Sequence, residues 1–317
     1  MKRAFSTLGW LVLLVLLGAA GSLATAAALF THAAVAHVAR IIALFGAGLG
    51  ANLFALGFCF ALLPGTRRAP DAAQHFGLAQ GIWGLAGFGI AMASGYVLLT
   101  NILTVEAFIL VTRHAALRVD LSSYNFLLSS VLAGELCAAL WVAWYLRRLG
   151  ETRVHDGSPT GIAWRAAPRE AYVVATLCAL GITGVVALFF HLLPPDMKAI
   201  QGLPEAKLFA GNGIAMVPLL LVAVFVGPVL EEIVFRGIAF AGLAVRLGPL
   251  WAGIITTLIF VAAHAPEKLH YPPGFIDIGL MAASAAALRV RYRSIRPGIV
   301  LHILYNTGAM LAAALLG

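Results

Sequence analysis

Residues 213–245 read GIAMVPLLLVAVFVGPVLEEIVFRGIAFAGLAV, an apolar run with Glu231, Glu232 and Arg236 set in its middle. About twenty apolar residues in a helix cross the roughly 30 Å hydrocarbon layer of a bilayer, so this run is long enough to span. An ionisable side chain at the centre of such a span costs roughly 2.5–3.5 kcal/mol on insertion scales, and marks a paired or functional group. The stretch therefore decides the fold class. An all-α, polytopic transmembrane helical bundle is predicted, with its chemistry held at membrane depth.

The rest of the chain follows the same rule. Of its 317 residues, 62% are apolar and only 11% charged, and the mean hydropathy is +0.96. A soluble domain carries about 45–50% apolar and about 25% charged residues, and disorder needs the opposite balance. Apolar blocks lie near 8–30, 41–63, 79–100, 124–146, 171–193, 213–245, 250–264, 275–289 and 297–316. The last few are short and interrupted, so about eight spans are expected.

The net charge of +8 lies in short loops, where it orients the chain rather than binding nucleic acid. Lys2 and Arg3, then Arg67 and Arg68, then Arg147, Arg148, Arg153, Arg165 and Arg169 occupy alternate loops. The N-terminus and the 147–169 loop are thus predicted to be cytoplasmic. The first apolar block is long for a signal peptide, and a retained helix is expected. Cys59, Cys137 and Cys178 sit inside apolar blocks without CxxC spacing and read as small core residues. Three regions are predicted: an N-terminal four-helix membrane region (1–150), a polar cytoplasmic linker (151–170) and a C-terminal catalytic membrane domain (171–317). The Ala/Gly/Leu/Arg-rich composition points to a high-GC bacterium, and so to a multi-pass protein of its inner membrane.

Polar residues at membrane depth cluster in the C-terminal region. Glu232 and Arg236 are four apart, share a helix face and can pair, which offsets much of the cost of burying each. Glu231 is rotated by about 100° and turns elsewhere; a desolvated carboxylate has the raised pKa that a general base needs. Phe260 and His264 lie one turn apart at the end of a second span. His302 and Asn306 share a face of a third, where they can aim two N–H donors at one oxygen. For each motif the bland reading is an ion-pair knot or interhelical hydrogen bonding. Together they supply the parts for hydrolysis: a carboxylate and a histidine for a water, a histidine and an amide for an oxyanion. His32, His37, His191 and His270 sit at block edges or in a loop and are given no role.

The series Glu231-Glu232-x-x-x-Arg236, Phe260-x-x-x-His264 and His302-x-x-x-Asn306 resembles the CAAX prenyl endopeptidase and bacteriocin-processing family, also called the ABI family, of glutamate-type intramembrane proteases. Pro228, Phe235, Gly237 and Arg293-Ser294-Ile295-x-Pro297-Gly298-Ile299 also resemble its flanking residues. The resemblance covers roughly 210–310. It implies Glu231 as the base that activates water with His264, His302 and Asn306 as the oxyanion hole, and Glu232, Arg236 and Phe260 as supporting residues. It implies no cofactor, with membrane lipids and a membrane-associated protein or peptide as partners, the substrate being prenylated in the eukaryotic branch and various in bacteria.

Several alternatives are set against this reading. Two histidines and a glutamate also make a zinc site with one open position, but HExxH is absent. No GxSxG marks a serine nucleophile, and a paired-aspartate mechanism needs two intramembrane aspartates, for which Asp277 is the only candidate. A transporter, a membrane scaffold or an immunity protein would use the same buried polar groups for proton relay or helix gluing.

Overall fold

The computed structural model describes residues 76–112, 124–196 and 216–316. The spans expected near 8–30 and 41–63, Cys59 and the orientation of the N-terminus lie outside them. Every regular element among the described residues is helical. They are α1 (Leu78–Thr112), α2 (Tyr124–Leu149), α3 (Glu151–His155), α4 (Arg169–Leu192), α5 (Met216–Leu221), α6 (Gly227–Glu232), α7 (Phe240–Ala263), α8 (Ala265–Lys268), α9 (Gly274–Tyr292) and α10 (Arg296–Leu316). Two π-helical segments, Val222–Val226 and Ile233–Ala239, flank α6. The chain divides into two compact units, Met1–Arg68 with Gly89–Ala138, and Ala69–Phe88 with Ala139–Gly317. Among the described residues, three helices are long and apolar enough to cross a membrane: Leu127–Leu149, Arg169–Leu192 and the 47-residue run Val217–Ala263.

In the second unit α10 packs on α4, α9, α6 and the first π segment, while α9 packs on α4 and α7. The stripe Ala171, Ala175, Ala179 and Ile182 on α4 is buried, at the four- and three-residue spacings of one helix face. Val173, Leu177, Leu180 and Leu188 on its other faces are more than half exposed. Small residues inward and large ones outward is the pattern of a helix in lipid, where close backbone approach replaces a hydrophobic driving force.

The 47-residue run would be about 70 Å long as one straight helix, twice what a bilayer needs. Either Gly227-Pro228 or a later point has to break it. Helical geometry continues through Gly227 and Pro228, because Pro228 sits in the first turn of α6, where the π segment ends and its missing N–H removes little. The break falls at Gly248, with φ 75° and ψ 168°, followed by Pro249. That positive φ is open to glycine at little cost, and proline cannot continue the preceding ladder. Phe235 and Phe260 show the result. Along a straight helix they would be about 37 Å apart, yet their ring centroids are 5.0 Å apart. The chain reverses at Gly248 and returns antiparallel.

The polar stretch 151–170, expected as a linker, is instead folded onto the second unit. Ile162 and Ala163 are fully buried. Arg289 of α9, 1% exposed, donates from Nη2 to the carbonyls of Ser158 (2.9 Å) and Gly161 (2.8 Å). The Ile295 N–H donates to Ala163 O (3.1 Å), and the Ser294 hydroxyl to Arg165 O (2.5 Å). Buried carbonyls need donors, and a loop rich in Gly, Ser and Thr exposes many of them to the helix ends beneath it. Asp156 sits in this loop. Burial works against its charge, but the Ser158 hydroxyl and N–H and the Arg153 and Arg289 charges outweigh that, and hold the carboxyl below the usual aspartate range.

Candidate active site

The glutamates end α6, between the two π segments. A π turn widens the helix, is rare overall, and is frequently found at functional sites. Glu232 Oε1 lies 3.1 Å from Arg236 Nη1, and both side chains are wholly shielded from solvent. Arg236 Nη2 donates to Ala282 O of α9 at 3.0 Å, and its guanidinium lies 4.5 Å from the Phe260 ring centroid. The buried cation is thus met by a carboxylate, a carbonyl and a π face, which together offset its desolvation.

His302 of α10 joins the two glutamates. Its Nδ1 is 3.2 Å from Glu232 Oε1, and its Nε2 is 3.7 Å from Glu231 Oε2. The two carboxylates differ in access: the Glu231 side chain is 20% exposed, that of Glu232 0%. Phe260, fully buried, is the platform of the site. Its ring stands edge-on to Phe235 and His302, at 5.0 and 5.7 Å, and lies 4.5 Å from the His264 ring. His264 ends α7, and its Nδ1 donates to the Phe260 carbonyl at 2.9 Å. This bond leaves Nε2 for other partners. Asn306, one turn beyond His302, donates from Nδ2 to Ala223 O in the first π segment at 2.7 Å.

The structure therefore brings Glu231, Glu232, Arg236 and His302 into direct contact, and ties His264 to them through Phe260. The Glu232–Arg236 pair forms on the spacing that predicts it. The link from His302 to Glu232 has no local sequence signal, because the two are 70 positions apart. Sequence reasoning also passes over Glu135 in α2, whose Oε2 is buried without a hydrogen-bond partner; a carboxylate within an apolar block was the available signal. Asp277, noted only as a lone aspartate, accepts a hydrogen bond from the Tyr305 side chain next to Asn306. Among the described residues, no group of three or more His, Cys, Asp or Glu side chains is placed so that it could hold a metal ion.

A cleft of about 500 Å³ is lined by Leu146, Arg147, Val154, Trp164 and Ile233 among others. Ile233 directly follows Glu232 in the chain. Around it, Arg148 stacks over Trp144 at 5.4 Å and Arg296 over Trp164 at 5.3 Å. Such pairing of basic and aromatic residues is usual at the membrane–water interface.

A curated relative, "Putative membrane peptidase YdiL" of Bacillus subtilis (strain 168), is 28% identical over 182 residues, covering 56% of this chain and 68% of the relative. No solved structure gives a significant match. The segment that carries all three motifs, residues 213–308, matches the type II CAAX prenyl endopeptidase Rce1-like family.

Proposed function

We propose that this chain is an intramembrane, metal-independent endopeptidase that cleaves a peptide bond of a membrane-associated protein or peptide. The observation that carries the reading is the buried Glu232–Arg236 pair with the more accessible Glu231 beside it, both glutamates meeting His302. A structural knot needs one carboxylate. A second, partly exposed one at the same depth is what a general base requires. The family match and the relative's name support a protease.

In this reading Glu231, with His264, positions a water and takes its proton as the water oxygen bonds to the scissile carbonyl carbon. The carbonyl π pair moves to oxygen, where hydrogen bonds from His302 and Asn306 stabilise it, a role worth about 3–4 kcal/mol per donor in known enzymes. Collapse restores the carbonyl, breaks the C–N bond and returns the proton to the leaving nitrogen. The products are a new carboxyl end and a new amino end. The 500 Å³ cleft beside Ile233 would admit the substrate from the basic, aromatic end. The protein is multi-pass, with about eight spans, in a bacterial inner membrane, its N-terminus and the 147–169 loop facing the cytoplasm, the region before residue 150 serving an unassigned role.

The test is Glu231→Gln, which keeps size and hydrogen bonding and removes the base. Membrane and secreted peptide ends, compared between wild-type and variant cells, should show one end that disappears, with a loss of roughly 10²–10⁴-fold in purified cleavage. Unchanged processing in a variant that inserts normally would favour the scaffold or transporter reading.

A further inference from the structure

We propose that Glu232 is a positioning residue that fixes the tautomer of His302, and that the resting imidazole carries its proton on Nδ1 with a lone pair on Nε2. The inference rests on the protease reading for its consequence, but not for its test. The geometry is direct. Glu232 Oε1 is held 3.1 Å from Arg236 Nη1, so the ionised carboxylate offers no proton, and the His302 Nδ1 that meets it at 3.2 Å must be the donor. In the neutral ring, the other nitrogen is then an acceptor. That nitrogen faces Glu231 Oε2 at 3.7 Å. The gap is wide for a direct hydrogen bond and suits a small oxygen atom that touches both.

The consequence is an order of events. In the resting site Nε2 has no hydrogen to offer an oxyanion. It acquires one when the water proton taken by Glu231 passes on to it. The imidazolium so formed, balanced by Glu232, then donates to the oxyanion and yields its proton to the leaving nitrogen as the C–N bond breaks. One proton leaves the water and one reaches the amine, so the step balances. Stabilisation of the intermediate is thus switched on by the same proton whose departure creates the nucleophile.

Glu232 holds this arrangement only if its carboxylate stays in place. Gly298, at the start of α10, supplies the room. A Cβ there would lie 3.0 Å from Glu232 Oε2 and 3.4 Å from the Ala285 Cβ, closer than ordinary contacts, so the carboxylate would have to move. Glycine in this position is a spacing device for the charge rather than a turn residue.

The tautomer is readable by ¹⁵N NMR of histidine-labelled protein in nanodiscs at neutral pH, with His302 assigned by its loss in His302→Gln. The expected wild-type ring is neutral and Nδ1-protonated. In Glu232→Gln the amide N–H can donate to Nδ1, and the proton should shift to Nε2. Gly298→Ala, which leaves every polar side chain intact, should weaken the Nδ1 hydrogen bond and lower kcat by roughly 10–100-fold with little change in KM, as loss of an orienting partner does elsewhere. If Glu232→Gln does not fold, the wild-type spectrum and Gly298→Ala decide. A neutral ring protonated on Nε2, or a doubly protonated ring, in the wild type overturns the inference, as does a tautomer that Glu232→Gln leaves unchanged. The spectrum needs no turnover. Full cleavage by Glu231→Gln would sink the protease reading and leave this result standing.

Discussion

Two arginines in the second unit share burial and setting but not company. Arg236 and Arg289 are both almost completely buried, and each lies over a phenylalanine, Phe260 at 4.5 Å and Phe240 at 5.1 Å. Arg236 meets a carboxylate, Glu232, and one carbonyl. Arg289 meets two carbonyls, of Ser158 and Gly161. The first arrangement fixes a negative charge deep in the unit and orders a histidine around it. The second pins a loop over the helix ends. A buried guanidinium is therefore no mark of chemistry by itself; what its partner does with the remaining lone pairs decides.

Removing each arginine should separate the two. Arg236→Met leaves Glu232 uncompensated in a dry site, and the expected loss is about 3–5 kcal/mol, read as a large fall in thermal or denaturant midpoint. Cleavage should vanish with it. Pairing that change with Glu232→Met replaces the ion pair by apolar groups and should recover most of the stability without recovering activity. A double variant as unstable as the single one would mean that the pair's net worth, rather than the orphaned charge, dominates. Arg289→Met orphans carbonyls, at about 1–3 kcal/mol, while cleavage per folded molecule should stay within about twofold, since a surplus carbonyl at the loop touches none of the reacting groups. A matching loss of rate would join the loop to the site.

Acid should produce the smallest effect, and only at the loop. The folded Asp156 titrates below the unfolded one, burial opposing and Ser158, Arg153 and Arg289 favouring its charge. Its contribution is present above the ordinary aspartate range and is lost as pH falls through the lowered folded value. Asp156→Asn should therefore be slightly less stable than wild type at neutral pH and equal to it in strong acid. The group is mostly solvent-screened, so the difference should be small. A larger gap in acid than at neutral pH would reverse the assignment.

The contrast also explains what the sequence discloses. The Glu232–Arg236 pair is legible because helical periodicity is local: four positions always bring two side chains together. The break between the 213–245 and 250–264 blocks is legible from Gly248-Pro249, since backbone punctuation is also local. The company His302 keeps is not, because it depends on how α10 is set against α6, which no period encodes. The 151–170 stretch reads as a linker on polarity alone, yet its carbonyls at Ser158, Gly161 and Arg165 accept hydrogen bonds from Arg289 and Ser294. Glu135 is legible too, as a carboxylate inside an apolar block.

The reversal at Gly248 has one more consequence. Arg236 lies twelve positions before it and Phe260 twelve after, and the two side chains meet. The limbs of the hairpin are matched in length with no slack between them. Adding or deleting one residue on either limb would slide its polar group by about 1.5 Å and swing it by about 100°. The reach of the site is thus set by arithmetic along the chain, and a change in length on either limb would alter it.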